Sequence, residues 1–403
     1  MRRSRSSLSI VRLSQTGTVY VAGCLLLLSA GASAFELPAV GGIDPVGRDE
    51  KLTRLEFGAF YGDDSNVSRA PDGAEQTGTF LRAVAGLVFA RGNERRKIDL
   101  QVHTKIDKYS ELSEFDADET RALIGVQVDA NTVLLGVRAE YAMLTDPTDI
   151  AITDLMERTQ MSVLPNLDLR LGGTLELSAG YSMKSSDYDA IFDYLDYDEN
   201  SIVAELRMGG SDGGRQIFVH FDKGEFEYGP GSRDDDDFEF DRLYGGFRTE
   251  VSRSSHELAV GTSNVDVATL PDSEIYASYR STFKLNERNT LLLGVAHGPE
   301  AAAGAEYKMA TRVIASYRKQ VNSRWRWSLT IGNESAELVT PEAGYPDDLS
   351  RLTVDAGMAA DIGSPGRLHG RLYVTAGYEN RTASDASFDY SRLRSTAGLS
   401  FVY

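Results

Sequence analysis

The sequence predicts an all-β protein, a single antiparallel transmembrane β-barrel of about 18 strands with short periplasmic turns and long acidic extracellular loops. Three observations carry that expectation. From residue 52 onward, apolar and polar residues alternate with period two, the pattern of strands that turn one face to an apolar medium. The connections alternate in length, short turns followed by long loops rich in Asp, Ser and Pro, as an up-and-down meander across a membrane requires. The apolar faces carry no charge at mid-strand while the faces opposite them are charged or polar, and a soluble sandwich would close two sheets with fewer strands.

In order, segments 52–61 and 79–90 lead to 96–107, where Ile98, Leu100, Val102, Thr104 and Ile106 share one face and Lys97, Asp99, Gln101, His103, Lys105 and Asp107 the other. Segment 119–129 turns through Ala130 and Asn131 into 132–143, in which Val133, Leu135, Val137, Ala139, Tyr141 and Met143 oppose Thr132, Gly136, Arg138 and Glu140. Segments 155–170 and 174–184 are joined by Leu171, Gly172 and Gly173, and 199–209, 215–224, 240–252, 256–264 and 273–285 follow. The turn 286–289 opens 290–298, and the turn 321–323 separates 306–320 from 324–336. The last three are 348–361, 367–379 and 388–403; in 367–379 Leu368, Leu372, Val374, Ala376 and Tyr378 oppose Arg367, His369, Arg371, Thr375 and Glu379. An even count places both chain ends on the short-turn side. No stretch sustains an apolar 3.6-residue period with caps, so helix has little claim on the chain.

The N-terminus reads as an export signal, residues 1–34: a basic region of Arg2, Arg3, Arg5 and Arg12, an apolar run through Cys24 and four leucines, and Ala32, Ser33 and Ala34 before Phe35. A lipoprotein site at Cys24 is the competing reading, but the strongest apolar run follows that cysteine when it should precede it. Arg2 and Arg3 lack the context of a twin-arginine signal. Residues 35–51 form a short periplasmic segment, too short for the plug of a gated transporter or a scaffold of helical repeats, and 52–403 form the barrel.

Composition excludes several classes. With 60 Asp+Glu against 42 Lys+Arg, the net charge of -18 argues against nucleic acid, whose phosphates need a basic footprint. One cysteine cannot make an internal disulfide, and 41% hydrophobic residues is too many for a disordered chain. No segment after residue 34 has 18 uninterrupted apolar residues, so membrane-spanning helices are excluded.

Aromatic residues mark both ends of the apolar faces. Phe89, Phe283, Tyr317, Trp325, Trp327, Phe401 and Tyr403 are expected at the periplasmic rim, and Tyr61, Tyr141, Tyr181, Phe221, Tyr307 and Tyr378 at the outer rim, where amphipathic rings favour the headgroup level. At the C-terminus Leu399, Phe401 and the terminal Tyr403 alternate with Ser400 and Val402. This ending resembles the recognition signal that the outer-membrane assembly machinery reads in the last strand of bacterial barrels, and that machinery and the lipopolysaccharide and other lipid of the outer membrane are the expected partners.

The chain also resembles a family of outer-membrane β-barrel porins associated with exopolysaccharide export gene sets. The resemblance lies in the run from Phe57 through Gly62, Asp63 and Asp64 to Val67, in strand ends such as Gly180-Tyr181 and Gly377-Tyr378, and in the tail from Gly398 to Tyr403. It implies a conduit in the outer membrane of a Gram-negative bacterium, for export of an exopolysaccharide or for passive passage of small solutes. Export would call on a separate periplasmic polysaccharide-export complex. A barrel that conducts nothing and serves a structural or adhesive role is the third possibility.

The polar face supplies the candidate solute path: Arg82, Arg138, Arg207, Arg248 and Arg280, then Arg312, Arg326, Arg371 and Arg394. Their planar forks suit the carboxylate or sulfate groups of an anionic glycan. The alternative is that they form ion-pair ladders with acids on the same face, such as Asp99, Asp107, Glu205, Asp355 and Glu379, across a wall that must be polar in any case. Negative charge is expected in outward loops, with Asp187, Asp189, Asp193, Asp196, Asp198 and Glu199 in one, Asp234 to Asp237 in another, and Asp63, Asp64, Asp347 and Asp348 elsewhere. A calcium loop would need a glycine after its spaced aspartates, which 196–200 lacks, so neither a metal nor any other cofactor is expected. Enzymatic chemistry has one candidate pair, His297 and Ser273 on lipid-facing parity. Pairing about the 286–289 turn sets His297 opposite Ala277, four residues or about 13 Å from Ser273, too far for a base and its nucleophile.

Overall fold

The computed structural model describes residues 52–403 apart from 72, 94, 146–155, 190–195, 210–213, 230–236, 267–270, 301–306, 340, 342–344 and 364–367. The expected signal peptide, its Cys24 and the 35–51 segment lie outside the described residues, as do Asp193 and Asp234 to Asp236. The alternation of the sequence becomes strands β1 (Leu52–Asp64), β2 (Gly78–Asn93), β3 (Arg96–Tyr109), β4 (Ala117–Asp129), β5 (Val133–Leu144) and β6 (Arg158–Arg170). These continue as β7 (Leu175–Tyr188), β8 (Tyr197–Gly209), β9 (Arg215–Tyr228), β10 (Phe238–Val251), β11 (Ser254–Asp266) and β12 (Pro271–Asn286). The meander ends with β13 (Asn289–Glu300), β14 (Tyr307–Gln320), β15 (Trp325–Val339), β16 (Asp348–Ile362), β17 (His369–Ala383) and β18 (Tyr390–Val402).

Every strand pairs antiparallel with its neighbours in sequence, and β1 pairs with β18 from Glu56↔Val402 to Asp64↔Arg394, so the sheet closes on itself. Closure leaves no edge of unpaired backbone groups. At the seam the terminal residue takes part, with Leu55 and Tyr403 exchanging backbone hydrogen bonds of 3.0 and 2.9 Å.

Several strands run past their expected ends on the extracellular side: β1 to Asp64, β7 to Tyr188, β9 to Tyr228 and β17 to Ala383. There the outward positions are Lys223, Glu225 and Glu227 on β9 and Glu239 on β10, still paired across the ladders with β8 and β10. Backbone pairing continues above the bilayer, but no apolar face is needed in water, so the sequence signal stops while the strand does not.

Packing is inverted relative to a soluble protein. Ile275 is 64% and Val137 49% exposed, whereas the charged side chains of Arg82 and Asp107 are 3% and 1% exposed. Such a belt of exposed Leu, Ile, Val, Phe and Met is stable only against lipid, so this is a barrel of outer-membrane type. Of the rim aromatics, Tyr61, Tyr141, Tyr181, Phe221, Tyr378, Trp325, Phe401 and Tyr403 are exposed as expected. Tyr307 is not: it is buried among Phe226, Phe238, Phe240 and Val265. It opens β14 beyond the apolar belt, where a ring gains more from an apolar cluster than from water.

Glycines opposite inward aromatics lock the register. A Cβ added to Gly62 would lie 2.4 Å from the Phe80 ring, one on Gly398 2.4 Å from Phe60, one on Gly246 2.4 Å from Phe218 and one on Gly224 2.5 Å from Phe240. In each case glycine and ring are direct cross-strand partners. The ring lies flat over the glycine and fills the groove it leaves, so a slip by one residue would cost both the contact and the facing of the strand.

Candidate functional site: the charged lumen

The lumen is lined by acids placed by register opposite or diagonal to cations. Across the closing seam, Arg82 on β2 donates from Nε and Nη2 to the two carboxylate oxygens of Asp107 on β3, at 2.6 and 2.7 Å. Arg394 on β18 donates to the same carboxylate at 2.6 Å. Its neighbour Arg392 binds Asp64 on β1 with Nε at 2.9 and 3.0 Å from the two oxygens, and Tyr109 donates to Asp64 at 3.1 Å. Four strands are thereby tied together by two carboxylates.

Three further acids act as hubs. Glu334 on β15 is contacted by Arg351 at 2.8 Å, Arg312 at 3.1 Å and Lys308 at 3.7 Å, and Arg312 also reaches Glu300 at 2.5 Å. Glu205 on β8 holds Arg207 at 2.5 Å, His220 at 3.1 Å and Arg248 at 3.7 Å, while Arg207 reaches Glu176 at 3.3 Å and Arg248 binds Glu257 at 2.6 Å. Asp361, near the periplasmic end of β16, pairs with Arg371 and, at 2.9 Å, with Arg326. Pairs this short and this shielded carry their stabilisation only as sets, because removing one partner strands a charge in a poorly solvated place.

All the arginines singled out from the sequence have lumen-facing parity. Arg82, Arg207, Arg248, Arg312, Arg326, Arg371 and Arg394 are held by carboxylates within 3.3 Å or less, and Arg138 lies 3.8 Å from Glu140. Arg280 differs: it is exposed, and among the described residues it has no ion-pair or hydrogen-bond partner. Leu399, Phe401 and Tyr403 face outward, with Phe401 stacked on Phe57 at 5.5 Å across the seam.

Several of the acids expected in outward loops lie in strands instead: Asp63 in β1, Asp187 in β7, Asp198 in β8 and Asp348 in β16, and two further acids so placed, Asp64 and Glu199, face inward. Asp64 belongs to no outward loop; it is the last residue of β1, is 2% exposed and anchors Arg392, because β1 continues three residues beyond its apolar alternation. Glu199 likewise lies in β8 and faces inward, 3.4 Å from Lys184. The loop after β1 folds over its own strand end: Asn66 donates to the carbonyls of Ala70 at 2.8 Å and Ser391 at 3.1 Å and accepts from the amide of Ala70 at 3.0 Å.

His297 pairs with Ala277, the register expected from the turn, and its Nδ1 lies 2.8 Å from the Thr311 hydroxyl. A His and Ser pair that sequence spacing did not suggest is present on the outer face at the periplasmic end, where His256 Nδ1 is 2.8 Å from Ser281 Oγ. Ser281 is 0% exposed, closed to any lipid ester, and Tyr279 shares the same imidazole nitrogen at 3.2 Å. No group of three metal-ligating side chains occurs among the described residues.

No family model and no curated protein matches the chain. Among solved structures it is similar to OccK2 (OpdF) of Pseudomonas aeruginosa, with 10% identity over 88% of this chain and 98% of that one and a TM-score of 0.47. It is also similar to OpdK of the same organism crystallised with vanillate, with 12% identity, 87% and 98% coverage and a TM-score of 0.45. The siderophore receptor PirA of that organism gives 10% identity, 89% and 81% coverage and a TM-score of 0.41. The likeness stops at the barrel.

Proposed function

We propose that the protein is an outer-membrane conduit for hydrophilic solutes with a preference for anions. The observation that supports this reading is local: among the described residues Arg280, Lys284 and Arg318 face the lumen on β12 and β14 without an ion-pair partner, while around much of the rest of the wall acids and arginines pair, with Asp99, Asp168 and Asp355 among the inward acids left unpaired. A narrow aqueous path in a low-dielectric wall focuses the field of such residual charges, raising the local concentration of anions.

Export of an anionic exopolysaccharide is the narrower form of the same reading. It draws on the resemblance to the export-associated porins, and it requires separate periplasmic proteins to deliver the polymer. Passive passage of small solutes needs no partner and fits the lumen as well. Reversal potentials across planar bilayers in a potassium chloride gradient test the common core: anion preference is the expected result, and cation preference would overturn it. Export is then separated from passive passage by deleting the gene in its host: loss of surface polysaccharide supports export, and unchanged polymer with slower uptake of small acids supports the passive pore.

A further inference from the structure

We propose that the periplasmic mouth of the lumen contains an anion clamp made by Lys284 on β12 and Arg318 on β14, with Arg280 four residues above it on β12, and that its ligand is a carboxylate or sulfate group on a passing solute. The inference rests on the conduit reading and names the place where that conduit holds its cargo. Register brings the pair together: Lys284 pairs with Thr290, and Thr290 pairs with Arg318, so the three lie in one row on the inner face. Two strand spacings separate the cations, about 10 Å between backbones, a gap that two long side chains bridge from both sides of a small anion.

Both side chains are exposed, and among the described residues neither has an ion-pair or hydrogen-bond partner. The rows between them and Arg280 hold nothing to cancel their charge. Arg280 aligns with Gly294 and Ile314, and Thr282 with Leu292 and Ser316. Directly across from Arg280 stands Glu257, whose carboxylate is already bound by Arg248 at 2.6 Å.

Folding gains nothing from this arrangement, since like charges in one row of a sheet repel. Binding does. The arginine fork offers paired donors to a carboxylate or sulfate, the ammonium adds a mobile point charge, and the Thr290 hydroxyl between them can donate a third hydrogen bond.

The test is single-channel recording on the folded, full-length protein, with sodium glucuronate as the probe and glucose as the uncharged control. Glucuronate is expected to interrupt the current while glucose does not. The double variant Lys284→Gln, Arg318→Gln should weaken that block roughly tenfold, the loss expected when charge-assisted hydrogen bonds to a carboxylate are removed. Lys284→Arg should retain it, and Lys108→Gln on the extracellular side should leave it unchanged. Folding of each variant is checked by heat-modifiability on gels, and Arg280→Gln gives an independent reading of the same cluster with a smaller loss of block. Conduction with unchanged block in the double variant overturns the clamp alone; no conduction by the unmutated protein overturns the conduit reading and the clamp with it.

Discussion

The wall formed by β18, β1, β2 and β3 and the periplasmic half of the wall formed by β12, β13 and β14 both present arginines to the lumen, yet they use them in opposite ways. At the seam, Arg82 and Arg394 share Asp107, and Arg392 takes Asp64, all within hydrogen-bonding distance and all poorly solvated. On the other wall the strand between the cation-bearing strands offers Thr290, Leu292, Gly294 and Ala296 to the lumen, so Lys284 and Arg318 have no acid beside them on it, and Glu257, opposite Arg280 on β11, is already bound by Arg248. What differs is the neighbour in register and nothing in the arginine itself. An inward cation is a strut where a neighbouring strand supplies an uncommitted carboxylate, and a solvated charge where it supplies a small residue or an acid already bound elsewhere.

The largest expected effect breaks the strut side. Asp107→Ala leaves Arg82 buried without its carboxylate and Arg394 with only Asp64 at 3.7 Å, and should cost about 3–5 kcal/mol, read as a fall in the urea midpoint of the refolded barrel; a midpoint within error of the unmutated protein would show that the seam network is dispensable. Next comes the outward face shared by both walls. Val137→Arg places a charge against the lipid and should cost about 2–4 kcal/mol near mid-membrane, whereas Glu140→Gln at an inward position of the same strand should be better tolerated. Equal penalties on the two parities would mean that inside and outside have been exchanged.

A smaller effect is expected at the glycine joints. Gly62→Val drives a side chain into the Phe80 ring and should destabilise by about 1–3 kcal/mol, the usual cost of overpacking; adding Phe80→Leu should return part of it, and a strictly additive double variant would refute the joint. The smallest effect completes the contrast. Arg280→Ala should change stability by no more than about 0.5 kcal/mol, as for a surface substitution without partners, even though loss of glucuronate block is expected at the same position. A loss as large as that of Asp107→Ala would show that Arg280 is a strut after all.

How much of this was legible in the sequence depends on the range over which each feature is specified. Period-two alternation is local, so the strands, their facing and the inward parity of every candidate arginine could be read from a dozen residues at a time. Asp64 was misplaced because its strand continues beyond the belt where alternation is informative. Lys284 gave no signal as a site residue, since its significance comes from Arg318 two strands away and from what Thr290 fails to offer. The contact of His256 with Ser281 was hidden for the same reason: it depends on the β11 and β12 register, which also brings the Tyr279 hydroxyl to the same imidazole nitrogen.

The amino-acid sequence by itself determined the class of solution. Alternating strands with apolar outward faces, short turns on one side and acidic loops on the other admit a closed membrane barrel and little else, because the bilayer enforces backbone pairing and an apolar exterior on every strand. Only the tertiary structure decided which charges are spent on the wall and which face the water of the lumen. Asp64 and Arg392 are 328 residues apart in the chain and touch because β1 closes on β18 with one particular stagger. That stagger is fixed collectively, by glycine and aromatic joints and by ion pairs summed around the ring, and no single strand encodes it.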